Sequence, residues 1–248
     1  MTTTTENPAG AELRRHAIEA GRRFAAREEG LRHDGDHVEL TRAILAWAAE
    51  TYGDRLIVAS NMQDAALVEL AAAQRPGVDV LFLETGYHFA ETLGTRDAVA
   101  HTYGVRIVEA TPELTVAEQD TLIGKDLFAT DPGRCCSIRK VEPLRRALEP
   151  YDAWVTGVRR VEAPTRAQTP LVTWDERHGL VKVNPIAHWS DDEMAAYIAE
   201  RGILVNPLVD AGYPSIGCAP CTAKPAPGDD PRSGRWAGFS KTECGLHG

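Results

Sequence analysis

Five cysteines stand in this sequence at spacings that could do chemistry. Cys135 and Cys136 are adjacent, Cys218 and Cys221 form a C-x-x-C, and Cys244 is alone in Glu243-Cys244-Gly245-Leu246-His247-Gly248. An odd number in a 248-residue chain argues for ligation or redox chemistry and against a disulfide framework. The first four supply enough thiolates for a tetrahedral zinc or an iron–sulfur cluster. Structural zinc takes cysteines two to four residues apart, whereas neighbours on a helix diverge by about 100°. The adjacent pair therefore suits two corners of a [4Fe–4S] cubane better than one small ion, with zinc, and unligated thiols or a disulfide, as the alternatives.

Cys244 has a different setting. Arg232-Ser233-Gly234-Arg235-Trp236 lies upstream as a cationic loop, and cations raise the thiolate fraction of a cysteine, while Glu243 works the other way. Glycines at 234, 238, 245 and 248 suggest a tail that closes over a ligand and opens again. Lys140 falls one helical turn after Cys136, on the same face, and Arg159, Arg160 and Arg166 follow a strand.

The elements that must position these residues read as α/β. Apolar runs at 55–60, 78–83, 105–108, 151–157 and 180–183 alternate with helical stretches at 63–74, 88–103 and about 135–148. Alternation of this kind predicts an open, mostly parallel sheet with flanking helices. Its ligands belong beyond the carboxyl ends of the strands, at Ser60, Glu84-Thr85-Gly86 and Gly157-Val158-Arg159-Arg160. Ahead of it, 11–29 reads as a solvated helix. His33-Asp34-Gly35-Asp36-His37 reads as a loop leading into a helix capped by Asp36 and Glu39 rather than a metal site. Thr115-x-x-Glu118 and Ser190-x-x-Glu193 repeat the capping-box spacing. From Asn206 onward Pro and Gly become dense. The expected organisation is a helical segment at 1–52, the α/β nucleotide-binding unit at 53–205 and a C-terminal arm at 206–248 carrying the C-x-x-C and the tail.

The balance of 27 Lys and Arg against 36 Asp and Glu, a net charge of −9, argues against affinity for nucleic-acid phosphates. MTTTTENPAG has no basic stretch followed by an apolar run, and nothing approaches the ~18–20 apolar residues that span a bilayer. The expectation is a cytoplasmic protein with neither nucleic-acid nor membrane partners.

With these pieces assembled, the chain resembles the assimilatory sulfonucleotide reductases, in the thioredoxin-dependent adenylyl-sulfate (APS) reductase branch of bacteria. The resemblance runs from about Arg55 to His247. It is carried by Cys135-Cys136-x-x-Arg139-Lys140, Gly157-x-Arg159-Arg160, Tyr213-Pro214-Ser215-Ile216-Gly217-Cys218-x-x-Cys221-Thr222, Arg232-x-Gly234-Arg235-Trp236 and Glu243-Cys244-Gly245-Leu246-His247. It implies an adenine-nucleotide α-hydrolase-like fold and a [4Fe–4S] cluster on Cys135, Cys136, Cys218 and Cys221. The implied activity is reduction of APS to sulfite and AMP by thioredoxin through a Cys244 thiosulfonate, in sulfate assimilation and cysteine biosynthesis. Lys140, Arg232 and Arg235 match positions that neutralise the phosphosulfate, with His247 nearby; Ser60, Leu83, Thr85, Gly157 and Arg166 match positions lining the nucleotide pocket. A 3′-phosphoadenylyl-sulfate (PAPS) reductase or dual-specificity enzyme is the near alternative, and a tRNA-thiolating ATP pyrophosphatase the distant one. Against the latter, the S-G-G-x-D-S loop of ATP pyrophosphatases reads Ser60-Asn61-Met62-Gln63-Asp64-Ala65 here, without either glycine that would let the backbone approach a pyrophosphate.

Overall fold

The structure, a computed structural model, describes residues 8–31, 36–236, 238–239, 241 and 245–246. Cys244, His247 and the 33–35 part of the His33–His37 loop lie outside the described residues.

Two helices, α1 (Pro8–Glu29) and α2 (Asp36–Tyr52), precede β1 (Leu56–Ala59), α3 (Ala66–Gln74), β2 (Asp79–Leu83), α4 (Ala90–Tyr103), β3 (Arg106–Ala110) and α5 (Val116–Leu122). Short helices α6 (Leu127–Thr130) and α7 (Pro132–Cys136) lead through a π-helical turn, Ser137–Val141, into α8 (Glu142–Leu148). Then come β4 (Ala153–Val155), β5 (Val172–Asp175), β6 (Leu180–Val183), α9 (Asp191–Arg201) and α10 (Pro207–Asp210).

The strands form one sheet in the order β3-β2-β1-β4-β6-β5, parallel throughout except for β5, which runs antiparallel to β6. The order reverses at β1, between β2 and β4. This switch point opens a crevice at the strand ends, where Ser60 follows β1 and Thr156-Gly157 follows β4.

Alternation along the strands builds two cores. Leu56, Val58, Val80, Phe82, Ala153 and Val155 face the larger cluster, with residues of α1 to α4 and α9; Ile57, Leu81 and Trp154 face the other, with Leu144 and Leu148 of α8. The capping boxes at Thr115/Glu118 and Ser190/Glu193 form at the starts of α5 and α9.

The structure corrects the sequence reading at three places. α1 is docked rather than solvated: Ala17, Ala20 and Phe24 are buried, and Gly21 lies so close to β5 that a Cβ there would meet the Val172 carbonyl oxygen at 2.7 Å. A stripe of small residues lets the helix seat on the sheet edge. β5 is a strand that the apolar runs did not mark, because only Val172 of its four residues is fully buried. The helix expected from Cys135 begins at Pro132, with the Asp131 carboxylate accepting from the Arg134 N–H at 2.9 Å. Its middle is widened because Pro143 has no N–H to offer the preceding turn and its ring crowds the carbonyl four residues back. Among the described residues no helix is long and apolar enough to cross a membrane.

Candidate functional site

The crevice opens into a cleft of about 580 Å³, within the range of small-molecule sites. Ser60, Leu83, Thr85, Lys140, Gly157, Arg166, Arg232 and Arg235 all line it. Eight positions spread over 176 residues of sequence thus converge on one cavity.

The strand-end wall is set by the sheet. Ser60 N donates to the Leu81 carbonyl at 3.1 Å, and Ser60 Oγ accepts from the Met62 N–H at 3.2 Å. Met62 holds a left-handed φ of 59° at the place of the second glycine of the S-G-G-x-D-S pattern, with its side chain fully buried in the larger core. The steric argument against a pyrophosphate therefore does not rest on Met62, which points away; Asn61 and Gln63 are the loop side chains that line the cleft. Asp64 lines it too, and burial pushes its carboxyl above the usual range.

Thr85 is held from behind. Its carbonyl accepts from Arg139 Nε, and the buried Arg139 guanidinium also donates to the Gln119 Oε1 at 3.0 Å and the Leu114 carbonyl at 3.3 Å. Gly86 has φ +75°, and a Cβ there would meet Val116 Cγ2 at 2.9 Å and the Arg139 guanidinium at 3.1 Å. Arg139 thus acts on the fold of the turn, whereas its neighbour Lys140 reaches the cleft.

A second, smaller cavity adjoins the first and is lined by Cys135, Cys136, Cys218 and Cys221 together with Tyr87, Phe128, Pro132 and Arg139. Lys140, Cys218 and Trp236 line both cavities and form the wall between them. Thr85 Oγ1 lies 3.4 Å from Cys218 Sγ, a second link from the cleft to the thiols. The C-x-x-C turn is pinned by Cys221 N to the Cys218 carbonyl at 2.9 Å and by Ala219 N to the Tyr87 carbonyl at 2.7 Å.

None of these four cysteines is in a disulfide. Burial and then the three neighbouring thiols push Cys135 up to about 12, and burial and Cys218 push Cys221 up to about 11. Thiols as buried as those of Cys135 and Cys221 ionise more readily beside a metal centre, whose positive charge offsets the cost of burial. Four cysteine side chains around one small cavity are a donor set of the kind that holds an iron–sulfur cluster or a zinc ion.

The arm returns beside this cavity through a bridge between Thr222 and Arg235, with Ala223 N on the Gly234 carbonyl at 2.8 Å and Trp236 N on the Cys221 carbonyl at 3.1 Å. Arg235 Nη1 donates to the Ser215 Oγ at 3.2 Å and the Ile216 carbonyl at 3.1 Å, and its guanidinium sits 4.7 Å from the Trp236 ring centroid. Gly217 makes this possible: a Cβ there would stand 2.1 Å from Arg235 Nη2.

Not every expected cation converges. Arg160 turns away to pair with Glu28 of α1 and to donate to the Thr169 carbonyl at 2.8 Å. Arg159 and Arg166 stay on the cleft, both paired with Glu162, and Arg159 also pairs with Asp191 at 2.8 Å. Sequence reasoning missed Glu162, Asp191, His88, Trp154 and Trp236 as cleft residues. The Arg159-x-x-Glu162-x-x-x-Arg166 spacing was a readable signal for the first, and Trp236 stood in the Arg232-x-Gly234-Arg235-Trp236 motif without an assigned role; the others carry no local pattern.

The Phosphoadenosine phosphosulfate reductase domain matches residues 55–224. The chain is 63% identical over 247 residues to an adenosine 5′-phosphosulfate reductase of Mycolicibacterium smegmatis, covering 100% of this chain and 98% of that one. It is 65% identical over 216 residues to one of Rhodococcus opacus, covering 83% and 87%. The fold is similar to a crystal structure of phosphoadenylyl-sulfate (PAPS) reductase from Candida auris in a phosphate complex, with TM-score 0.64 and 25% identity over 78% of this chain and 99% of that one. The cleft, the strand order and these relatives agree: the chain belongs to the phosphoadenosine phosphosulfate reductase domain family, in the branch of the adenosine 5′-phosphosulfate reductases.

Proposed function

We propose that the chain reduces APS to sulfite and AMP with thioredoxin as electron donor, as a cytoplasmic enzyme of sulfate assimilation and cysteine biosynthesis. The observation that carries this reading is the convergence of the eight described candidate positions on one cleft that shares a wall with a cavity lined by four cysteines. Ser60, Leu83, Thr85, Gly157 and Arg166 hold the nucleoside and its phosphate, while Lys140, Arg232, Arg235 and His247 take the phosphosulfate charge. Charge-assisted hydrogen bonds of this kind favour the oxyanion that grows on the leaving phosphate.

In the reaction the Cys244 thiolate attacks the sulfate sulfur of APS. An S–S bond forms, the S–O bond to phosphate breaks, and AMP leaves with the electron pair. One thioredoxin thiolate then attacks Cys244 Sγ and releases sulfite, and the second thioredoxin thiol resolves the mixed disulfide, so that thioredoxin supplies both electrons. The arm at 206–248 serves as the carrier of the nucleophile, set against the α/β unit at 53–205 and the helical segment at 1–52.

Cys135, Cys136, Cys218 and Cys221 would hold a [4Fe–4S] cluster, which would supply a structural brace and an electrostatic neighbour to Lys140. The residues in contact with both regions are Lys140, Cys218 and Trp236, so any loss of the brace is expected to reach the cleft through them. Sulfite release from APS with reduced thioredoxin tests the proposal, and PAPS in the same assay separates the nearest alternative. Turnover of PAPS with none of APS would reverse the substrate assignment.

A further inference from the structure

Gly245 and Leu246 of the C-terminal tail meet the body of the protein at the β5–β6 hairpin and the edge of the cleft. Arg177, in the turn of the β5–β6 hairpin, donates through Nη1 to the Gly245 carbonyl at 2.5 Å. The next residue, Leu246, packs on the smaller core cluster, which includes Trp154 and Leu144, and lines the cleft.

The turn that offers Arg177 is tightly organised. Asp175 Oδ1 accepts from the N–H groups of Arg177 and His178 at 3.1 and 3.2 Å. Asp175 Oδ2 accepts from Trp154 Nε1 at 3.1 Å and pairs with His178 Nδ1 at 2.8 Å. Gly179, at φ +69°, closes the turn with its N–H on the Asp175 carbonyl at 2.8 Å. The Asp175 and His178 side chains are only 10% and 3% exposed. One buried carboxylate thus joins the indole wall of the cleft to the residue that grips the tail.

We propose that the β5–β6 hairpin is the seat of the tail and that Arg177 is a positioning residue for the reaction of Cys244. This rests on the reading of Cys244 as the nucleophile. Consecutive Cα atoms are about 3.8 Å apart across a trans peptide, so a clamp on Gly245 acts on the very next residue. A guanidinium-to-carbonyl bond reads the backbone, and Leu246 adds an apolar anchor. Among the described residues, the charge-assisted bond to Gly245 and the part-buried Leu246 hold the tail firmly enough for attack on APS yet weakly enough to release it to a second protein.

The test compares cluster-loaded wild type with Arg177→Ala and Arg177→Lys in the two half-reactions. Arg177→Ala should form the Cys244 adduct from APS about tenfold more slowly, while thioredoxin discharges the preformed adduct at the wild-type rate or faster. Amide exchange in 242–248 should quicken, AMP affinity should stay at the wild-type value, and Arg177→Lys should recover most of the adduct rate. Adduct formation at the wild-type rate in Arg177→Ala overturns the proposal. Equal slowing of both half-reactions with weaker AMP binding also overturns it, because that is general damage. If wild type gains the sulfite-derived mass on another cysteine, the nucleophile reading falls. Exchange alone then decides the seat, and unchanged exchange in Arg177→Ala removes it.

Discussion

The two walls of the cleft are held by different physics. Ser60, Leu83 and Gly157 stand at or just beyond the ends of β1, β2 and β4, where a continuous parallel ladder and cores on both faces hold them. Opposite them, Lys140 comes from a widened helical turn, and Cys218, Arg235 and Trp236 from an arm tied by the Thr222–Arg235 bridge and a few side-chain bonds. The strand-end wall is a property of the fold; the arm wall is a property of individual contacts. Single changes on the arm side should therefore abolish function without unfolding the chain, and single changes under the strands should do the reverse.

The largest effect is expected at the thiols. Serine at Cys135, Cys136, Cys218 or Cys221 should remove iron, acid-labile sulfide and turnover together while far-UV circular dichroism stays native. One such variant with full turnover and no iron would show that the arm wall does not need the brace. Lys140→Ala and Arg235→Ala come next. Hydrogen bonds to charged groups are worth roughly 1.5–3 kcal/mol, so kcat/KM for APS should fall about 10- to 100-fold with little change in Tm. A smaller loss, about tenfold, is expected from Gly217→Ala, whose Cβ must displace the Arg235 guanidinium rather than any backbone; AMP affinity and Tm should stay near wild type. Ile57→Ala inverts the pattern. Ile57 is fully buried under β1, and truncation should cost about 2–5 kcal/mol in denaturant unfolding with kcat/KM unchanged below the transition. If Ile57→Ala and Gly217→Ala lose activity and stability in the same proportion, the two walls are not distinct.

How much of this was legible in the sequence follows the same division. The strands that carry Ser60, Leu83 and Gly157 are short apolar runs, and their alternation with helices already implied the parallel sheet and the crevice at its carboxyl ends. β5 escaped because Thr173, Trp174 and Asp175 are only partly buried at the sheet edge, so its pattern lacks an apolar run. α1 was legible in principle: Ala17, Ala20, Gly21 and Phe24 fall on one face, but small residues contribute little hydrophobic signal although they permit close packing. On the arm side, cysteine spacing pointed to the four cysteines that line one cavity, and the family resemblance pointed to Lys140, Arg232 and Arg235, which line the cleft. Neither revealed that Trp236 and Cys218 share a wall, that Arg160 is spent on Glu28, or that Met62 holds a glycine-like φ while its side chain stays in the core. Those are outcomes of tertiary packing between segments far apart in the chain, and no local periodicity encodes them.

If the cleft presents APS to the thiol of Cys244, intact-protein and peptide mass spectrometry will register the transfer itself. Wild-type enzyme given APS without reductant should gain one SO3 group on the peptide containing Cys244 and release one equivalent of AMP. Cys244→Ser should bind AMP, retain its iron and gain nothing. The added mass on any other cysteine, or turnover by Cys244→Ser with thioredoxin, would contradict the account.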